Sequence, residues 1–128
     1  MKAASCLLLI QGIYWLLTGL WGLIDIHSFM LVTGPKTDVW LVETVSILII
    51  IIALTFLTAV KSREQTMPII LLAITGCIGL AGIDFYYSLN NIISPIYLLD
   101  GVVEIFFLIA WAVVLFKSRN KKLVSSPS

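Results

Sequence analysis

Charge is scarce in this sequence: 12% of its 128 residues are Asp, Glu, Lys or Arg, where a soluble domain carries about 25%. That shortage excludes an ordinary water-soluble globule. Histidine occurs once, as His27, so a site built from several imidazoles is excluded. The two cysteines, Cys6 and Cys77, form no CxxC or metal-type spacing, and both read as small packing residues. No Gly-rich phosphate loop, nucleophile elbow or haem-binding pair is present.

Apolar residues fill the space instead, at 60% of the chain with a mean hydropathy of +1.09. They gather in four runs, at 4–24, 39–60, 68–89 and 95–116. Each is about 20 residues long, enough for a helix to span a hydrocarbon core of about 30 Å. The first run has a single leading cation, Lys2, and no small-x-small cleavage site after it, so it reads as a retained helix rather than a signal peptide. The expected fold is all-α: an up-down-up-down four-helix transmembrane bundle over residues 1–116, with 117–128 as a basic, flexible cytoplasmic tail. No soluble domain fits in what remains.

Charge is polarised along the bundle. With alternating helices, Lys2, Lys61, Arg63, Lys117, Arg119, Lys121 and Lys122 share one side and Lys36 takes the other. The positive-inside rule then puts both termini in the cytoplasm of a bacterial inner membrane. Trp21, Trp40, Tyr86, Tyr87 and Tyr97 mark the opposite boundary as an aromatic belt. The segment 26–38 joins the first two spans. Its apolar half is expected to lie along the outer interface, Gly34-Pro35 to turn the chain, and Asp38 or Thr37 to cap the second helix. Pro68 and Pro95 stand where the last two helices begin.

Helix contacts in lipid favour small residues. Ala73, Gly76, Gly79 and Gly82 recur every third residue, and Ser5, Gly12 and Gly19 every seventh; both stripes are expected to face protein. The run 47–52 is nearly unbroken Ile and Leu and is expected to face lipid. The halves also echo one another. Asp25, Pro35, Asp38 and Glu43 in the first answer Asp84, Pro95, Asp100 and Glu104 in the second. A duplicated hairpin would set Glu43 and Glu104 across a pseudo-twofold axis.

The carboxylates carry the functional argument. Asp25, Asp38, Glu43, Asp84, Asp100 and Glu104 cluster near the outer end of the spans, and Glu64 alone lies at the other. A carboxylate within hydrocarbon costs roughly 2.5–3.5 kcal/mol on insertion scales, so it faces a protein interior or a cavity. Glu43, Asp84 and Asp100 fall about 6–8 Å inside the boundary, and Glu104 one turn deeper. Asp100 and Glu104, four apart, share a helix face that Tyr97, Leu108 and Trp111 continue. Stacked acids need a proton, a cation or strong donors, and the donors are few: Lys36, His27, the tyrosines and hydroxyls such as Thr44. Asp25 and Asp38 sit at helix ends as capping groups. Gln11, deep in the first span, could bridge helices through its amide.

The expected site is therefore a ligand- or proton-binding pocket of Glu43, Asp84, Asp100, Glu104, Lys36, His27 and Tyr97. Its expected work is binding or translocation of a proton-linked or cationic small ligand. An acid–base enzyme acting on a lipid or isoprenoid is the first alternative, and an accessory subunit whose acids pair with a partner's cations the second. Carboxylates plus one His could hold a divalent cation, but no HxxxH or ExxH spacing supports it, so neither metal nor cofactor is expected. The bilayer is the expected partner, nucleic acid is not, and a homodimer is left open.

The stretch Thr33-Gly34-Pro35-Lys36-Thr37-Asp38-Val39-Trp40-Leu41-Val42, with Tyr97-Leu98-Leu99-Asp100 and Glu104, resembles a signature of small, uncharacterised four-helix bacterial membrane proteins. That resemblance covers most of the chain and implies the four-helix fold, but no activity. The size is also similar to that of the small multidrug-resistance transporters. Their first-helix Glu is absent, with Gln11 the one interior polar group there. Sterol-isomerase-like membrane proteins offer only an analogy in their use of carboxylates within the membrane.

Overall fold

The computed structural model describes residues 2–35 and 37–125, with 121–125 described by backbone alone. Lys36, expected as the counter-charge, lies outside the described residues, as does the end of the tail. Among the described residues there is no strand, and five helices follow in order: α1 (Lys2–Ile24), α2 (Ile26–Thr33), α3 (Val39–Ser62), α4 (Met67–Leu89) and α5 (Tyr97–Ser125). The helices α1, α3 and α4, and residues Tyr97–Asn120 of α5, are long and apolar enough to cross a membrane. An integral membrane protein of four spans fits this architecture.

Two departures from expectation concern the ends. The connection after α1 is itself helical, because Asp25 caps α2 by accepting the Ser28 backbone N–H at 3.2 Å and Gly34 closes it at φ 100°. Only a residue without Cβ adopts that angle easily. The tail continues α5 as helix through Ser125 rather than leaving it at residue 116. Asp38 occupies the N-cap position of α3 but makes no side-chain cap bond. Pro68 falls within the first turn of α4, where its missing N–H has no intrahelical partner to lose.

Close contacts fix the register. Gly12 lies against Phe56 and Leu57, Gly19 against Ile50 and Ser46, and Gly22 against Ser46, so α1 and α3 run antiparallel and nearly touch. The seven-residue stripe works because seven residues at 3.6 per turn drift by only about 20°. The helices α4 and α5 form a second hairpin, and the two hairpins meet chiefly along α1 and α5. Toward the chain termini the interior is filled, with Ala4, Leu8, Ala53, Phe56, Ala73 and Trp111 all sealed from outside. The surface is apolar: Ile47, Leu48 and Ile51 of the 47–52 run are about half exposed, as a lipid-facing wall requires.

The three-residue stripe is corrected. Ala73 is buried and Gly76 meets Trp15, but a Cβ on Gly79 or Gly82 would find no atom within 4 Å. Steps of three rotate a helix face by about 60° each, so Gly82 ends opposite Ala73. The face α4 buries is instead Ala73, Cys77, Ala81, Asp84 and Ser88.

These contacts separate two alanine substitutions. Gly19→Ala puts Cβ 2.9 Å from the Ser46 carbonyl oxygen and should lower stability by about 1–3 kcal/mol through overpacking. Gly79→Ala should be neutral or add up to about 1 kcal/mol of helix propensity. Unfolding midpoints in detergent check both, and equal losses would mean that the register is wrong.

Candidate functional site

Between the two hairpins, at the end away from the termini, lies a cavity of about 300 Å³. Its walls are mostly apolar, with Leu41, Val42, Val45 and Ile49 from α3 and Leu80 and Ile83 from α4. Asp84, Asp100 and Glu104 also line it, and none of the described residues that do so is Lys, Arg or His. Asp84 is 4% exposed and Glu104 1%.

Each acid is placed by a packing detail. Gly101, one residue after Asp100, lets α4 approach so closely that its Cβ would sit 3.3 Å from Cβ of Asp84. The Asp84 and Asp100 side chains consequently meet. Tyr14 of α1 donates its hydroxyl hydrogen to Asp100 Oδ1. Trp15 donates its indole N–H to Glu104 Oε1 at 3.0 Å, and it reaches there because Gly76 leaves room: a Cβ at that position would fall 2.5 Å from the ring. The Cys77 thiol lies beside the same carboxyl.

Below Glu104 the polar chain closes. Gln11, fully buried, donates to the Ala73 carbonyl at 3.1 Å and to Cys77 Sγ at 3.2 Å, and accepts the Trp111 indole N–H at 2.8 Å. Its amide thus ties α1 to both α4 and α5, the bridging role its position allowed. With Gln11 and Trp111 saturated and Leu8 and Phe56 packed around them, no open polar route leads on toward the termini among the described residues.

Two acceptors remain unpaired. Among the described residues, Asp84 Oδ2 and Glu104 Oε2 are buried without a hydrogen-bond partner. A buried unsatisfied polar group costs about 1–3 kcal/mol, and two on one cavity mark where a donor from outside would be welcomed.

The expected residues divide. Asp84, Asp100, Glu104 and Tyr97 converge on the cavity. Glu43 does not: it is half-exposed, and α3 turns Val42, Val45 and Ser46 inward, leaving position 43 off that face. Glu43 and Glu104 therefore do not face one another across an axis. His27 is exposed on α2 and lines no part of the cavity. No group of three or more His, Cys, Asp or Glu among the described residues could hold a metal ion.

Tyr14 and Trp15 were not singled out by the charge pattern. A signal existed in Gln11, Tyr14, Trp15 and Thr18, whose spacing of three, four and seven places donors on one face of the first span.

Glu104→Gln keeps the acceptor for Trp15 while removing a buried acid, so it should raise the unfolding midpoint in detergent, by the equivalent of about 1 kcal/mol. Trp15→Phe strips the indole donor from Glu104 Oε1 and should lower it. A large loss in Glu104→Gln would make Glu104 a paired structural group.

Comparison with family models, with curated proteins and with solved structures returns no match, so any function must be argued from this geometry.

Proposed function

We propose that this protein is an integral membrane binding protein whose carboxylate cavity takes an amphipathic ligand with a protonated amine head and an apolar body. The observation that carries the reading is the pair of unpartnered oxygens, Asp84 Oδ2 and Glu104 Oε2, on a cavity otherwise walled by aliphatic side chains. A primary or secondary ammonium brings both the charge and the N–H donors these oxygens lack. The apolar walls would take the rest of the ligand, as small-molecule sites commonly do.

Binding has more support than translocation in this conformation, because the saturated Gln11–Trp111 contact closes the interior beyond Glu104. Unpaired acids could also await a partner's cations, but oxygens lining an interior cavity suit a small ligand better than a docking subunit. The exposed cations Lys2, Lys61, Arg63, Lys117 and Arg119 all stand at the terminal end. By the positive-inside rule this supports cytoplasmic termini and a cavity toward the outer face.

A second reading, an acid–base enzyme on a lipid or isoprenoid, has one observation in its favour. The helices α3 and α4 flank the cavity but are not extensively packed on each other. Leu41, Val45, Leu80 and Ile83 therefore border a seam through which an apolar chain could enter from the bilayer.

Calorimetric titration with 2-phenylethylammonium in lipid nanodiscs tests the first reading. Saturable binding should weaken about tenfold or more in Glu104→Gln and in Asp84→Asn, the scale of losing one charge-assisted bond. Equal binding by wild type and both variants would reject it.

A further inference from the structure

The carboxylate cavity has a neighbour. A second cavity, of about 250 Å³, shares Tyr14, Thr18, Phe29, Tyr97 and Asp100 with the first and lies beyond them toward the loops, walled there by Trp21 and by Val32 of α2. Its chemistry differs from that of the inner cavity. Four aromatic side chains, Tyr14, Trp21, Phe29 and Tyr97, surround one carboxylate, Asp100. We propose that this outer vestibule is a separate binding site for an organic ammonium ion without N–H donors, held by aromatic faces with Asp100 as counter-charge.

The aromatic walls are built and held before any ligand arrives. Trp21 and Phe29 meet edge to face at 5.2 Å with their planes 79° apart, which forms a corner from two perpendicular rings. The Trp21 indole N–H donates to Ser28 Oγ at 2.8 Å. Ser28 is in turn fixed by Asp25, which accepts its backbone N–H at 3.2 Å and, through its carbonyl, its hydroxyl hydrogen at 3.3 Å. The short helix α2 thereby clamps the indole of α1, and little side-chain freedom is left for binding to remove. A cation within about 6 Å of such rings is attracted by their electron-rich faces.

The donor inventory separates the two cavities. A quaternary ammonium has no N–H, so in the inner cavity it would bring charge but leave Asp84 Oδ2 and Glu104 Oε2 without a hydrogen bond. Among the described residues no such orphaned oxygen lines the vestibule: Asp100 already accepts the Tyr14 hydroxyl, and the rings require charge rather than hydrogen bonds. The vestibule site therefore stands whether or not the inner cavity binds an amine.

An alkylated ammonium could arrive as a free solute or as the choline headgroup of a lipid. Butyltrimethylammonium, titrated into the protein in phosphatidylglycerol nanodiscs, reads the site directly. Saturable binding is expected, weakened about tenfold or more by Trp21→Leu and by Asp100→Asn and largely retained in Trp21→Phe, which keeps an aromatic face. Adding phosphatidylcholine to the nanodiscs names the source. A weaker apparent affinity for the probe means that the lipid headgroup competes for the site, and an unchanged affinity means a soluble ligand; either supports the site. Absence of saturable binding to wild type overturns the proposal, as does equal binding by Trp21→Leu and Asp100→Asn. Loss of binding in Glu104→Gln with Trp21→Leu unaffected would seat the probe in the inner cavity and overturn it too.

Discussion

The structure turns on the Trp15 indole. Its ring fits against the bare backbone of Gly76, and its N–H reaches Glu104 Oε1 at 3.0 Å. One side chain of α1 thus locks onto both helices of the other hairpin, through packing on α4 and a hydrogen bond to α5. The Gln11 amide repeats the arrangement one turn away. Apolar surface alone does not hold two hairpins together in lipid, where tails are as apolar as leucine, so close packing and interhelical hydrogen bonds must do so. Both occur here along the same stripe of α1.

That arrangement also explains why a cavity exists at all. The inner half of the bundle is filled by Trp111, Phe56 and Leu8 around Gln11. In the outer half the same helices carry shorter or more polar groups inward, such as Thr18, Gly19, Ser46 and Asp84. Space is left where the side chains are small, and three carboxyls border it. Acids kept against their desolvation cost, two with an oxygen unpaired, are the part of this protein least explicable by stability. Everything below them reads as support.

The two cavities differ in chemistry more than in size. One offers acceptors in an aliphatic box, the other aromatic faces around a carboxylate that already has a donor. The Tyr14–Asp100 bond and the rings of Phe29 and Tyr97 stand between them, so ring faces give way to unpaired carboxylate oxygens at that partition.

Much of the fold was legible in one dimension. Four apolar runs of spanning length, the polarised charges, the seven-residue glycine stripe of α1 and the shared face of Asp100, Glu104 and Trp111 follow from composition and from the helix period, both local properties. Which acids converge is not local. Glu43 and Glu104 are the same residue type within a turn of each other in depth, yet α3 packs on α1 through positions that turn residue 43 aside, while α5 packs through Glu104 itself. Gly79 and Gly82 belong to the same sequence stripe as Gly76, but the 3.6-residue turn carries them to the open side. The roles of Tyr14 and Trp15 and the clamp of α2 on Trp21 likewise depend on which rotated faces meet. The helices, their order and the charge at each end follow from the residue pattern along the chain. Only the packing of one hairpin on the other decided which carboxylates share a cavity, because that depends on interhelical contacts no single helix contains.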